Sequence, residues 1–328
     1  MKHSFKLTVL TDPIPWIDNY YSEIFRVIAR NIYRKIYPDK KNYNKLNYRG
    51  HQDVTRSLIE GLKKIHVSYK YNPICIKDMS ETVVVLAGIR TLRQAIKLKN
   101  AGVINKLFVG PNVVNLSSDY DSILTSSQID WVITPCDWVT KLYVDQESIL
   151  KMRCISWPAG VDTNYWHPVT EAIPNRILIF EKQNKGMVGP IKPYYDYLQS
   201  MGWSVDVIKY GTYNHSKYLK LLQEACLMIG FVMNESQGIA WAEAWSTNVP
   251  TLIWRNNEDR FGGKIYASST APYLCDINGL FFNDFEDFKL QFHKWEHSRD
   301  SFAPREWVLN NMSDEICASK LYSIVQSC

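Results

Sequence analysis

Short apolar runs, each followed by a stretch with helical spacing, recur along this sequence in two series. The clearest run is Glu81-Thr-Val-Val-Val-Leu-Ala-Gly88, which is apolar without alternation. Runs of this kind are strands buried on both faces. In the first series Phe5 to Leu10, Val67 to Tyr71, Lys106 to Asn112, Asp130 to Pro135 and Cys154 to Pro158 read as further strands. Helices are predicted between them: Asp18 to Tyr37, a segment carrying Val54, Leu58, Leu62 and Ile65 with Asp53 as its cap, Thr91 to Asn100, and Asp137 to Leu150. A polar connector marked by Gly and Pro, Ala159 to Pro168, ends the series. The second series runs Arg176 to Phe180, Lys192 to Ser200, Trp203 to Ile208, His215 to Glu224 and Cys226 to Met233. Strands alternating with helices build a parallel sheet flanked on both faces. Two series without a sequence repeat call for an α/β fold of two Rossmann-like domains, which 328 residues accommodate.

Within the second series, Asn234-Glu-Ser-Gln-Gly-Ile-Ala-Trp-Ala-Glu-Ala-Trp-Ser-Thr-Asn-Val-Pro250 joins the Cys226 strand to a last one, Thr251 to Trp254. Ile239 to Ser246 has helix formers and no breaker, and Asn248-Val-Pro250 stops it. The stretch is therefore strand, tight turn, helix, strand, with Glu235 in the turn and Glu243 inside the helix. A helix N-terminus presents free backbone N–H groups and positive dipole. Ser236, Gln237 and Gly238 lie there, and glycine lets a ligand approach the backbone closely. Such a turn suits an anionic, hydroxyl-rich ligand. In the first series, Asn112 ends a Gly-Pro-Asn turn at a strand's carboxyl end, where ligands bind in open α/β sheets.

The Glu235 to Pro250 segment resembles the Glu-x7-Glu segment of retaining glycosyltransferases of the GT-B fold, especially glycosyltransferase family 4. The resemblance implies a hexosyltransferase with two Rossmann-like domains facing each other across a cleft. It places the acceptor domain at 1–160, the nucleotide-sugar donor domain at 161–300, and terminal helices at 301–328 crossing back to the first domain. It implies that Glu235 holds the donor sugar and Glu243 the ribose. In Glu181-Lys-Gln-Asn-Lys-Gly186, Lys182 stands where the family has Arg and Lys185 matches its Lys, both on the donor diphosphate. Two ammonium groups there would stabilise the leaving pyrophosphate. Tyr210-Gly-Thr-Tyr213 follows a strand where the base rests, which brings in Gly211 and Tyr213. Arg49-Gly50-His51 is similar to the loop that faces the cleft in this fold, without its paired glycines, and would touch acceptor or phosphate. Glu235, Lys182 and His51 are thus the expected catalytic groups. The donor would be a UDP- or GDP-sugar, the acceptor a glycan, lipid-linked or other hydroxyl, and the anomeric configuration retained. No cofactor and no metal are expected, because basic groups and helix dipole take the metal's place in this fold. A catalytically silent GT-B protein that binds a sugar nucleotide or a partner, and a nucleic-acid glycosyltransferase, are the alternative readings.

Composition narrows the setting. A formal charge of +5 is compatible with phosphorylated substrates or an anionic membrane surface and is too small to argue for nucleic acid alone. Arg26, Arg30 and Arg34 form a basic row on the first long helix, with Ile24, Ile28, Ile32 and Ile36 on its apolar face. Such a row can meet anionic lipid, while a solvated face is the ordinary reading. Seven scattered cysteines, with no Cys-x-x-Cys pair, read as reduced thiols of a cytoplasmic protein. The apolar part of the N-terminal run is too short for a signal peptide.

Overall fold

A computed structural model of the chain describes residues 6–12, 51–169, 175–182 and 191–328. The chain divides into two compact units, Met1–Trp157 with Ala318–Cys328, and Pro158–Cys317. Among the described residues each unit is built on one all-parallel sheet.

The first unit contains β1 (Leu7–Thr11), α1 (His51–Lys64), β2 (Tyr69–Tyr71), β3 (Thr82–Ala87), α2 (Ile89–Asn100), β4 (Lys106–Asn112), β5 (Trp131–Thr134), α3 (Asp137–Gln146) and β6 (Cys154–Ser156). Its strand order is β2-β1-β3-β4-β5-β6. Val83, Val84, Val85 and Leu86 are fully buried, as strands covered on both faces require. Two local expectations are corrected. The first described helix starts at His51, so Asp53 lies inside its first turn and does not cap it. The helix from Asp137 stops at Gln146, and Ser148–Met152 follows as a separate 3-10 turn. The predicted helix Asp18 to Tyr37 lies outside the described residues.

The second unit contains β7 (Arg176–Lys182), α4 (Lys192–Ser200), β8 (Ser204–Lys209), α5 (His215–Glu224), β9 (Leu227–Val232), α6 (Ile239–Ser246) and β10 (Thr251–Trp254). A hairpin of β11 (Glu258–Phe261) and β12 (Lys264–Ala267) comes next, then β13 (Gly279–Phe282), α7 (Phe285–His297) and α8 (Pro304–Asn311). The last helix, α9 (Asp314–Ser327), begins in this unit and from Ala318 on belongs to the first. The sheet order is β13-β10-β9-β7-β8. Successive residues of β7 and β9 feed opposite faces. Leu178, Phe180, Met228 and Val232 pack with Tyr218 of α5, Trp241 and Trp245 of α6, and Val308 of α8. Ile177, Ile179, Leu227, Ile229 and Phe231 pack with Tyr194 of α4 and Phe288, Phe292 and Trp295 of α7. Each large buried side chain of this kind stabilises the unit by about 1.5–3 kcal/mol. Gly230 in β9 makes room for α6: a Cβ there would lie 2.5 Å from the Trp241 ring and 2.7 Å from Ile253.

In both sheets the second strand in sequence lies on one side of the first and the third strand on the other. That creates a switch point at the carboxyl ends of β1/β3 and of β7/β9, where open α/β sheets bind ligands. Among the described residues no helix is long and apolar enough to cross a membrane.

Candidate functional site

The β7/β9 switch point gathers three of the expected residues' neighbourhoods into one row. β8, β7 and β9 are adjacent, and Tyr210, Lys182 and Glu235 stand at or just past their carboxyl ends. The Lys182 ammonium lies 2.5 Å from Glu235 Oε1 and 4.7 Å from the centre of the Tyr210 ring. A cation over an aromatic face and beside a carboxylate is held from two sides. Lys182 therefore has a defined position although its side chain is 36% exposed, against 16% for Glu235.

The Glu235 turn is fixed from the other side by the loop after the hairpin. Glu235 N donates to Ser269 O at 2.8 Å, and Trp241 Nε1 donates to Thr270 O at 2.9 Å. The hairpin base is tied to the same turn, since Asn234 Nδ2 donates to Asp259 and Asn256 Nδ2 donates to Met233 O. Gln237 Oε1 accepts from Ala159 N at 3.0 Å, which anchors the turn to the connector. In this segment and the loop after the hairpin, Gln237 Nε2, Ser268 Oγ and Thr270 Oγ1 are buried with no hydrogen-bond partner among the described residues.

Gly238 stands at the N-cap of α6 with φ 64°, a left-handed conformation that favours glycine. No side chain caps this helix. Its first N–H groups and its positive dipole end meet the same turn as Lys182 and Glu235. Glu243, in the middle of α6, is 6% exposed. Its charge raises the phenol pKa values of Tyr165, Tyr213 and Tyr218, in each case after the larger effect of burial. The same carboxylate is therefore close to three tyrosines, one from the connector and two from β8 to α5.

The remaining expected residues fall as follows. Tyr213 packs its ring against Tyr218 and Phe180 within the core, whereas Tyr210 is 53% exposed and carries Lys182. Gly211 lies between them with φ 84°. Ser236 is half-buried in the Glu235 turn. Asn112 closes β4 in the first unit, and its buried Nδ2 has no partner among the described residues. His51 opens α1, with its side chain outside the described residues. Arg49, Gly50, Lys185 and Gly186 lie outside the described residues as well. Sequence reasoning missed Tyr210 as a partner of Lys182, and it missed Ser268 and Thr270. Only the polar Ser268-Ser-Thr270 run after a Gly262-Gly263 turn signals them.

No family model matches the sequence, and no curated protein is similar to it in sequence. Solved structures are similar in fold. Sucrose-phosphate synthase from Thermosynechococcus elongatus superposes with a TM-score of 0.51 at 10% identity, over 98% of this chain and 98% of that one. The catalytic domain of starch synthase IV from Arabidopsis thaliana, bound to ADP and acarbose, gives 0.55 at 8% identity, also over 98% of each chain. The fold is that of the GT-B glycosyltransferases. At such identities the similarity extends to architecture alone.

Proposed function

We propose that this chain is a glycosyltransferase that moves a hexose from a nucleotide-sugar donor, UDP- or GDP-linked, to a glycan, lipid-linked or other hydroxyl acceptor, with retention of configuration. The observation that carries the reading is the row at the β7/β9 switch point: Lys182 against Glu235, directly before the uncapped N-terminus of α6. A diphosphate needs positive charge and N–H donors, and both are present there. A sugar needs a carboxylate and neutral hydrogen-bonding groups beside the phosphate, which Glu235, Gln237, Ser268 and Thr270 supply. Glu243 is the group for the ribose, being the second carboxylate of the segment, in the second turn of α6. Lys182 and the α6 dipole meet the charge that develops on the leaving diphosphate, so no step requires a metal. The starch synthase structure of similar fold was solved with ADP and acarbose bound.

A thermal-shift screen of UDP-, GDP- and ADP-sugars tests the proposal, because a specific ligand raises apparent stability by mass action. One nucleotide sugar should stabilise the protein more than its free nucleotide, and that compound should be hydrolysed slowly without acceptor. Stabilisation by none of them sinks the reading. The silent-binder alternative draws on one observation, the engagement of Lys182 by Glu235, and predicts donor binding without any hydrolysis.

A further inference from the structure

A second cluster of chemistry-bearing side chains lies on α7, away from the Glu235 turn. His293, Glu296 and His297 occupy one face of its last turns, at the i, i+3 and i+4 spacing that brings helix side chains together. One ligand atom from each lies within 4.8 Å of the others. His293 and His297 are exposed and Glu296 is half-buried.

We propose that these three side chains form a binding site for a divalent transition cation of the zinc class. The hydrogen bonds around the cluster leave the right atoms bare. His297 Nδ1 lies 2.7 Å from His293 O, and a carbonyl only accepts, so Nδ1 carries the proton and Nε2 the lone pair. His293 Nε2 lies 3.1 Å from the Tyr197 hydroxyl of α4, which can accept its proton and turn Nδ1 toward Glu296. An outer hydrogen bond of this kind fixes ring and tautomer at metal-ligating histidines. His293 Nδ1 and Glu296 Oε2 are 3.5 Å apart, too far for a good hydrogen bond. Bonds of about 2.0–2.2 Å to zinc place neighbouring ligand atoms roughly 3.3–3.5 Å apart on a tetrahedral edge. Either a proton on Nδ1 or a cation between the two atoms satisfies this pair. Glu296 meets Arg299 through its other oxygen, Oε1 at 3.8 Å, which leaves Oε2 to the metal. His297 Nε2, left bare by the Nδ1 contact to His293 O, offers the third ligand, and water completes the shell. Two imidazoles and one carboxylate select zinc, nickel or copper over magnesium or calcium.

The placement decides what the ion does. α7 follows β13, so it leaves the carboxyl edge of the sheet and runs back over 13 residues, about 20 Å. His297 is thus at the edge opposite the Glu235 turn. Through His293 and Tyr197 the ion joins α7 to α4, the two helices on one face of the sheet, and so acts on the stability of the unit.

The test uses the untagged full chain after chelator treatment and dialysis. Calorimetry with Zn2+ should give one ion per chain, and the thermal midpoint should rise with it. His293→Ala and His297→Ala should each weaken binding at least tenfold, and their double variant should abolish both effects. Tyr197→Phe should weaken binding about 10–100-fold while both imidazoles remain. The Co2+ derivative should lack a sulfur-to-cobalt charge-transfer band. Absence of stoichiometric binding, binding unchanged in the double variant, or a sulfur band assigning the ion to cysteine would each overturn the proposal.

Discussion

Replacing Glu235 with Gln should tighten the binding of a free nucleoside diphosphate, although it removes a group assigned to the donor. Lys182 is the ammonium expected to meet the pyrophosphate, yet it is engaged by Glu235 Oε1 at 2.5 Å. A diphosphate must compete with that contact, and a carboxylate this close to the phosphates also repels them. The pair is partly exposed, 36% at Lys182 and 16% at Glu235, so it belongs near the upper end of surface pairs. At about 1 kcal/mol its release tightens binding roughly fivefold, since 1.4 kcal/mol is about tenfold. Lys182→Met should act oppositely, losing a charge-assisted contact of about 1.5–3 kcal/mol, or roughly tenfold or more. In the Lys182→Met background most of the gain from Glu235→Gln should vanish, which is a coupling a double-mutant cycle reads directly. Calorimetry at low and high salt, with nucleoside and nucleoside diphosphate, measures all four variants. Weaker or unchanged diphosphate binding by Glu235→Gln would refute the competition and take Lys182 off the phosphates. The sugar-bearing donor should respond differently, because Glu235→Gln removes its hydroxyl partner and slows turnover.

Glu243→Gln should weaken nucleotide and nucleotide sugar alike by roughly tenfold or more, because a ribose hydrogen bond to a charged group is common to both; a loss confined to the sugar-bearing ligand would reverse the two carboxylates. Gly230→Ala should destabilise the second unit by about 1–3 kcal/mol, because the new Cβ meets the Trp241 ring and Ile253; denaturant unfolding measures it, and a neutral result would mean that α6 shifts freely. Donor turnover should survive chelator, because the α7 cluster lies at the opposite edge of the sheet; metal-reversible loss of activity would contradict the assignment of charge to Lys182 and the helix. Burial pushes the Cys136 thiol up from 9.0 to about 12, so its contribution to stability is complete below pH 9 and is lost between there and about pH 12. Cys136→Ser should flatten that alkaline loss in unfolding titrations, and in the native protein a thiol reagent should modify exposed Cys75 well before Cys136.

Much of the fold was legible because parallel strands are apolar on both faces and leave uninterrupted runs. The Glu81 run and the Cys226 run became β3 and β9. The turn and helix from Asn234 to Ser246 were legible for the same reason, being bracketed by two such runs. The hairpin after β10 was not, because Glu258-Asp-Arg-Phe261 and Lys264-Ile-Tyr-Ala267 are largely solvent-facing and carry no apolar stripe. Their Gly262-Gly263 link, both at positive φ, is a hairpin signal that polar flanks conceal. β13, Gly279-Leu-Phe-Phe282, was lost among the charged and aromatic residues around it. Contacts between distant segments left no trace in spacing. Arg305 donates to Trp166 O at 3.1 Å, 139 residues away, and so joins α8 to the connector. At the site, one carboxylate, the Lys182 position and Gly238 were readable from the motif. Tyr210 was not distinguished from Tyr213, because only packing tells which ring turns inward.

The two switch points differ in the charge they present. At the first, Asp12 follows β1 and Gly88 precedes α2. Asp12 Oδ1 accepts from Thr91 N at 3.1 Å and from the Thr91 hydroxyl, so the protein's own carboxylate already occupies the N-terminus of α2. Gly88 is tailored to that contact: its φ is 98°, and a Cβ would fall 2.2 Å from Asp12 Cγ. A ligand phosphate there would meet a negative charge where the helix dipole would otherwise attract it. At the second, the residue before α6 is Gly238, which brings no side-chain oxygen, so only its backbone carbonyl meets the helix start, accepting from Trp241 N and Ala242 N. The neighbouring strand contributes Lys182 where the first unit contributes Asp12. One topology therefore presents opposite charge at its two switch points, set by the residue at the end of the first strand and by what stands at the helix start. On the proposed function the charged donor would lie at the second, whereas Asp12 at the helix start of the first disfavours an anion there.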